Sequence, residues 1–196
     1  MGEEPSAPEP ERREEILDAV DRILGRDGAH AVTMRAVAAE AGVSLRLVQY
    51  YGKNKAQLMT AALDRLADRS VQRWRARSAA RTEKRPEEEL KAFFDEALPT
   101  DEASRAFHRV GVSLELLAIT RPDAAATAYR DHLRALVEHL SGTLDENAGA
   151  EDQQARRRAV EAISLSHGLG TLVMAGVVTE HEAEDLVRDY LGRSRQ

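Results

Sequence analysis

Apolar residues recur every three or four positions along most of this chain, the spacing of one face of an α-helix, and nowhere alternate like a half-buried strand. Ile16, Leu17, Val20, Ile23 and Leu24 mark a first helix over 12–26, with Gly25 and Gly28 as its exit. Thr33 is a good N-cap for a short helix from Met34 to Ala41, in which Met34, Val37, Ala38 and Ala41 share a face and Gly42 is the stop. Ser44 caps a second short helix, Leu45 to Tyr51. A long arginine-studded helix follows over 54–80.

Arg81-Thr82-Glu83-Lys84-Arg85-Pro86 breaks the pattern as a loop and boundary. Beyond it, Leu90, Phe93, Phe94 and Ala97 define a helix from Glu87 to Leu98, ended by Pro99, and Asp101 caps another from Glu102 to Ile119. Thr120-Arg121-Pro122-Asp123 opens a helix along which Tyr129, Leu133, Leu136, Val137, Leu140 and Leu144 are apolar. A polar loop over 146–151 leads to a helix over 152–175. Thr179-Glu180-His181-Glu182 is a capping box for the last helix, whose apolar positions are Ala183, Leu186, Val187, Tyr190 and Leu191. The pattern predicts an all-α chain of nine helices.

Two short helices joined by a three-residue turn that begins with glycine have the sequence form of a helix-turn-helix. Ala38, Gly42 and Val48 stand at relative positions 0, 4 and 10 within it. The alanine is small where the helices cross, the glycine supplies a turn conformation that costs other residues energy, and the valine fills the wedge between the helices.

Composition narrows the chemistry. Of 196 residues, 42% are apolar but only 4% aromatic, so the core is built from Ala, Leu and Val. There is no cysteine, which excludes a disulfide scaffold, a thiolate metal site and a cysteine nucleophile, and fits a reducing cytoplasmic compartment. The first ten residues hold three Pro and three Glu and read as a disordered tail, with no basic-then-apolar export signal. The net charge of −6 argues, taken whole, against a nucleic-acid partner. Mapped along the chain it does the reverse: residues 1–27 carry −5, residues 28–85 carry +8 and residues 86–196 carry −9. The positive block contains the helix-turn-helix.

Thr33-Met34-Arg35-Ala36-Val37-Ala38-Ala39-Glu40-Ala41-Gly42-Val43-Ser44, then Val48-Gln49-Tyr50-Tyr51 and Lys55-Ala56-Gln57-Leu58-Met59, resemble the DNA-binding region of TetR-type transcriptional repressors over residues 12–60. The resemblance implies a three-helix DNA-binding domain over 11–57, linked by helix four to a ligand-binding and dimerisation domain over 58–196. One position departs from the family pattern: Gly52 stands where Phe is usual, which removes about 2 kcal/mol of apolar burial from the joint with helix four, or else marks a one-residue slide.

Arg46 can offer a bidentate fork to guanine and Gln49 can pair with adenine, so these two are the candidates for reading bases. Thr33, Arg35, Ser44, Leu45, Tyr50, Tyr51 and Lys55 complete the expected DNA-contact set, the hydroxyls and the lysine as phosphate contacts by resemblance to the family. Plain packing remains open for Tyr51, and a solvated surface for Arg46. The arginines of helix four read as its solvated face.

Ala162 to Thr179 is uncharged over 18 positions. The run contains Ser164, Ser166, His167, Gly168, Gly170, Thr171 and Gly176 and is too polar for a membrane span. A helix apolar nearly all round is buried on two sides, one of which can be a second subunit. The resemblance implies a homodimer through the last two helices, for which Ile163, Gly168, Gly170, Leu172, Leu186 and Tyr190 are the candidates. It also implies a small-molecule effector among the central helices. Phe93, Phe94, Phe107, His108, Leu114, Glu115, Leu117, Tyr129, His167 and Met174 are the residues expected to face inward there. Glu115, set among leucines, is either a polar anchor for a ligand, such as a cation, or a carboxylate satisfied by Arg105, Arg109 or the second subunit.

No histidine spacing suits a metal, and neither a phosphate-binding glycine loop nor a nucleophile elbow is present, so neither enzyme, metal nor cofactor is expected. Two readings remain. One is a repressor released from a palindromic operator by a small molecule. The other is a helical dimer that binds a small molecule or a protein and no longer reads DNA, which Gly52 favours.

Overall fold

The computed structural model describes residues 9–79, 85–120, 124–144 and 153–193. Among them lie nine helices and no strand: α1 (Glu9–Asp27), α2 (Met34–Ala41), α3 (Leu45–Gly52), α4 (Lys55–Ala79), α5 (Pro86–Ala97), α6 (Glu102–Thr120), α7 (Ala124–Leu144), α8 (Gln153–Met174) and α9 (Glu180–Arg193). The expectations placed on residues 1–8, 81–84, 121–123 and 146–151, and on the side chain of Leu117, lie outside the described residues.

The starts of α1 and α5 differ from expectation, each beside or at a proline. α1 begins at Glu9, inside the expected tail, and α5 begins at Pro86 rather than Glu87. Proline is suited to a first turn because its missing N–H would have no partner there and its φ is already helical. No side chain caps α5, but Glu87, Glu88 and Glu89 place negative charge at the positive end of its dipole.

The chain forms two compact units. The first comprises the residues up to Leu66 with Arg109–Arg130, and the second comprises Ala67–His108 with the residues from Asp131 onward. In the first, α1 packs on α2 and α2 on α3. Ile16, Leu17, Val20, Ile23 and Leu24 of α1 are buried, as are Val37 and Ala38 of α2, Val48 of α3, and Leu58, Met59, Ala62 and Leu63 of α4. Charge pins the same elements along their edges. Arg22 Nε and Arg26 Nη2 donate to the two oxygens of Glu40 at 2.9 and 3.2 Å, tying α1 to the last turn of α2. Arg65 of α4 reaches Glu14 at 3.0 Å, Asp18 at 2.8 Å and also Asp21, three carboxylates on one face of α1.

The second unit is centred on Trp74, Leu90, Phe93, Phe94, Leu140, Leu144, Leu169, Val187 and Leu191. α8 contributes Ala155, Ala159 and Ala162, small residues that share one face and let α5 approach closely. The expected capping box is formed: the Glu182 carboxylate accepts from Thr179 N–H at 2.8 Å and Thr179 Oγ1 accepts from Glu182 N–H at 3.2 Å. Among the described residues no helix is long and apolar enough to cross a membrane.

Glu96 is the one charged side chain among the buried described residues, 5% exposed. Its carboxylate accepts from Ser70 Oγ at 3.0 Å, Arg73 Nε at 2.9 Å and Arg77 Nε at 3.4 Å, so α4 is held to α5 by a satisfied ion cluster. Removing the anion takes the buried partner from both guanidiniums and leaves Arg77 only Asp101, at 3.9 Å, among the described residues. Because each is about one-third exposed, Glu96→Ala should cost about 2 kcal/mol, below the full value for a buried pair. Urea unfolding at neutral pH checks this figure, with Glu96→Gln falling between the two.

Candidate nucleic-acid interface

Local chemistry sets both short helices. Thr33 is extended at φ −132, and its Oγ1 accepts from Ala36 N–H at 3.0 Å, satisfying a donor that the start of α2 would otherwise orphan. Gly42 closes α2 in the left-handed region at φ 66, with the N–H groups of Gly42 and Val43 bonded back to Ala39 and Ala38. Ser44 Oγ then accepts from Leu47 N–H at 3.2 Å and starts α3. Thr33 and Ser44, both expected at phosphates, thus also serve as caps.

α3 is oriented by one buried residue. Val48 is fully enclosed, which turns Arg46, Gln49 and Tyr50 outward; Tyr50 is 66% exposed. Arg35 on α2 is exposed as well, while Leu45 and Tyr51 are half-buried. The Tyr50 ring meets Tyr51 edge-on with centroids 5.0 Å apart, so Tyr51 packs against its neighbour. Lys55 also has a partner within the protein. Its Nζ donates to the Ala29 carbonyl at 2.7 Å, bracing the start of α4 against the α1–α2 turn rather than standing off as a solvated cation.

The departure at Gly52 resolves into packing. Gly52 is buried, and a Cβ there would lie 2.3 Å from Cγ and Cδ2 of Leu58, itself 2% exposed. Leu58 therefore occupies the volume beside α3 and no cavity is left where an aromatic is usual. The feature that favoured a head unable to read DNA loses its force.

The residues expected at an effector pocket are divided between the two units. Phe93 and Phe94 belong to the core, their centroids 5.5 Å apart and their edges against Trp74 and Tyr190. In the second unit the rings of His108 and His167 lie 5.9 Å apart, Phe107 faces His132 at 6.5 Å, and Met174 is half-buried at the end of α8. Glu115 and Tyr129 belong to the first unit, where Leu114 is buried. Burial first, and then the Glu115 charge, push the Tyr129 hydroxyl up to about 12. Arg105, one candidate partner for Glu115, is paired with Glu180. A groove of about 460 Å³ between α5 and α9, floored by Phe94, Leu98, Val187 and Leu191, had no signal in the sequence.

Of the expected dimer residues, Gly168, Leu172 and Leu186 face outward, and Ile163 and Tyr190 are half-buried. Gly170 is the correction. It is buried, and a Cβ there would stand 2.6 Å from the His108 imidazole, so its missing side chain makes room for a ring of the same unit.

Comparison with known proteins places these features. The family model for bacterial regulatory proteins of the tetR family matches residues 16–62, and that for the C-terminal region of BetI-type transcriptional repressors matches residues 86–195. The chain is 29% identical over 174 residues to the HTH-type transcriptional repressor KstR of Mycolicibacterium smegmatis, covering 87% of this chain and 81% of that protein. A transcriptional regulator from Rhodococcus sp. Rha1 superposes with a TM-score of 0.78 at 24% identity, over 92% of this chain and 94% of that one. A transcriptional regulator from Saccharomonospora viridis, in complex with choline, does so with a TM-score of 0.74 at 23% identity, over 94% and 95%.

Two measurements follow from the head's own geometry. Ser44→Ala removes a cap and should lower stability by about 1 kcal/mol, read by urea unfolding, with Ser44→Asp retaining most of it. The hydrogen bonds from Arg22, then from Arg26, hold Glu40 below its ordinary 4.5. A carboxylate depressed in this way stabilises fully above its ordinary value and loses its contribution as pH falls through the lowered one. The melting difference between wild type and Glu40→Gln should therefore be constant near neutrality and shrink in acid below 4.5; a difference that persists there contradicts the pairing.

Proposed function

Because the chain belongs to the TetR family of transcriptional regulators, we propose that it is a homodimeric cytoplasmic repressor that holds a palindromic operator and releases it when a small molecule binds. In this reading residues 11–57 read DNA and residues 58–196 bind the effector and the second copy. The observation that carries the DNA assignment is the outward pair Arg46 and Gln49 on a helix capped by Ser44, within the segment of net charge +8. Side chains three apart on one helix face suit successive base edges in the major groove. Thr33, Ser44, Tyr50, Tyr51 and Lys55 would position the head on phosphates, with Arg35 and Leu45 completing the contact surface. The −9 carried by residues 86–196 favours an approach to the duplex by the N-terminal part alone.

A second copy is supported by α8. Val160, Ser164, Gly168 and Leu172 recur every four residues on its exposed face, and Val177 and Leu186 are exposed beside it. An apolar, small-residue face of this kind suits the self-complementary contact of a two-fold dimer, and a two-fold dimer suits two half-sites one turn apart. For the effector, Glu115 beside Tyr129 supplies a carboxylate and an aromatic ring, which favours a small organic cation. Within the second unit, His108, His167, Phe107, Met174, Phe93 and Phe94 remain the candidates for effector contacts.

Gel shift against duplex DNA flanking the chain's own gene tests the proposal. Wild type should bind at low salt, and Arg46→Ala or Gln49→Ala should each weaken specific binding by about 1–3 kcal/mol while leaving random-sequence binding nearly unchanged. Absence of binding to any duplex at low salt would sink the repressor reading. Choline added to the complex tests the effector class: release supports a cation, and an unchanged shift points to neutral or acidic compounds.

A further inference from the structure

We propose that Gly52 and Leu58 form a size-matched lock that sets the tilt of the recognition helix, making this pair a determinant of operator specificity although neither residue reaches DNA. The inference rests on the DNA-reading assignment above and concerns how that reading is made exact.

A glycine at the end of a helix ordinarily supplies positive φ. Gly52 does not: the described glycines with positive φ are Gly28, Gly42 and Gly176, and the positive-φ position at this turn falls on Lys53, at φ 49 and ψ −53, outside the left-handed helical well. Lys53 is the one non-glycine residue with positive φ among those described. The chain thus puts the strained conformation on a lysine and keeps its glycine one place earlier, in helical geometry, where alanine has the better intrinsic propensity. Space accounts for this order. A Cβ on Gly52 would meet Cγ and Cδ2 of Leu58 at 2.3 Å and Cδ1 at 3.0 Å.

Leu58 has little freedom to give way. It is 2% exposed, and its N–H is bonded to the Asn54 carbonyl at 3.1 Å in the first turn of α4. That turn is itself fixed, since Asn54 Oδ1 caps Gln57 N–H at 3.0 Å and Lys55 Nζ is tied to Ala29. On the other side, Asn54 N–H bonds to the Gly52 carbonyl and Lys53 N–H to the Gln49 carbonyl at 3.0 Å, a γ-turn of the strained positive-φ kind. Gly52, Lys53, Asn54 and Leu58 are therefore one rigid corner. Any side chain added at Gly52 is relieved by tilting the last turn of α3, and that turn carries Gln49 and Tyr50. A bidentate contact to a base edge tolerates little displacement, whereas attraction to phosphates is long-range and forgiving.

The test is a double-mutant cycle on the full-length chain: wild type, Gly52→Ala, Leu58→Ala and the double variant. Each is measured by melting, by affinity for the duplex flanking its own gene, and by affinity for a random duplex of equal length. Gly52→Ala should weaken the specific complex about tenfold and the random complex less than about twofold, and the double variant should recover most of the loss. Recovery distinguishes a lock from simple damage, because Leu58→Ala by itself only removes packing. Should Gly52→Ala fail to fold, a double variant that folds and binds supports the lock, and one that does not overturns it. The lock is also overturned if Gly52→Ala binds like wild type or melts higher without loss of affinity. Equal losses on both duplexes overturn it too, as does a double variant no better than Gly52→Ala. A wild-type chain that binds neither duplex overturns the DNA reading along with it, and is told apart by the wild-type measurement alone.

Discussion

Helices of eight residues do not persist alone in water, because the cost of nucleating them is recovered only over a longer run. α2 and α3 are both that short. They exist here because α1 presents a continuous apolar stripe, Ile16, Leu17, Val20, Ile23 and Leu24, on which α2 is laid, and α2 packs on α3, where Val48 is buried. The burial of Val48 is in turn what rotates Arg46 and Gln49 into solvent. The DNA-facing surface is thus a consequence of apolar packing on its opposite side, and the caps at Thr33 and Ser44 fix only where each helix begins.

Charge works on two scales. At long range the chain separates into a positive segment with the recognition helix and a negative remainder. At short range several of the positive charges are committed within the protein. Arg65 faces three carboxylates of α1, while Arg73 and Arg77 converge on buried Glu96. The arginines of α4 read from sequence as a solvated face, yet Arg65 is 10% exposed and acts as a bolt between helices. The field available to a duplex therefore comes more from Arg35, Arg46 and Lys53 than the count over residues 28–85 implies.

Helix positions, caps and the turn at Gly42 were legible because their causes are local. A capping hydroxyl meets an N–H three residues on, and an apolar stripe repeats within a turn, so both are written within a few neighbouring letters. The outward placement of Arg46 and Gln49 was legible for the same reason, being the positions left exposed once Val48 points in. The tie from Lys55 to the Ala29 carbonyl was not legible, because its partner is a backbone group 26 residues away that no side-chain pattern announces. Gly170 was misread because a glycine in a helix looks the same whether it faces a second subunit or a histidine from another helix.

By itself the sequence determined the all-helical architecture, the location of the helix-turn-helix, and which side chains of its second helix face outward, since each follows from periodicity and capping over three or four residues. Only the tertiary structure decided what the glycines and the charged side chains are for. A glycine's role is set by the atom that occupies its missing Cβ, and an arginine's by the carboxylate it meets. At Gly52 that atom belongs to Leu58 and at Gly170 to His108, and for Arg65 the carboxylates lie 44 to 51 residues away. Those meetings depend on how helices cross, which no local pattern specifies.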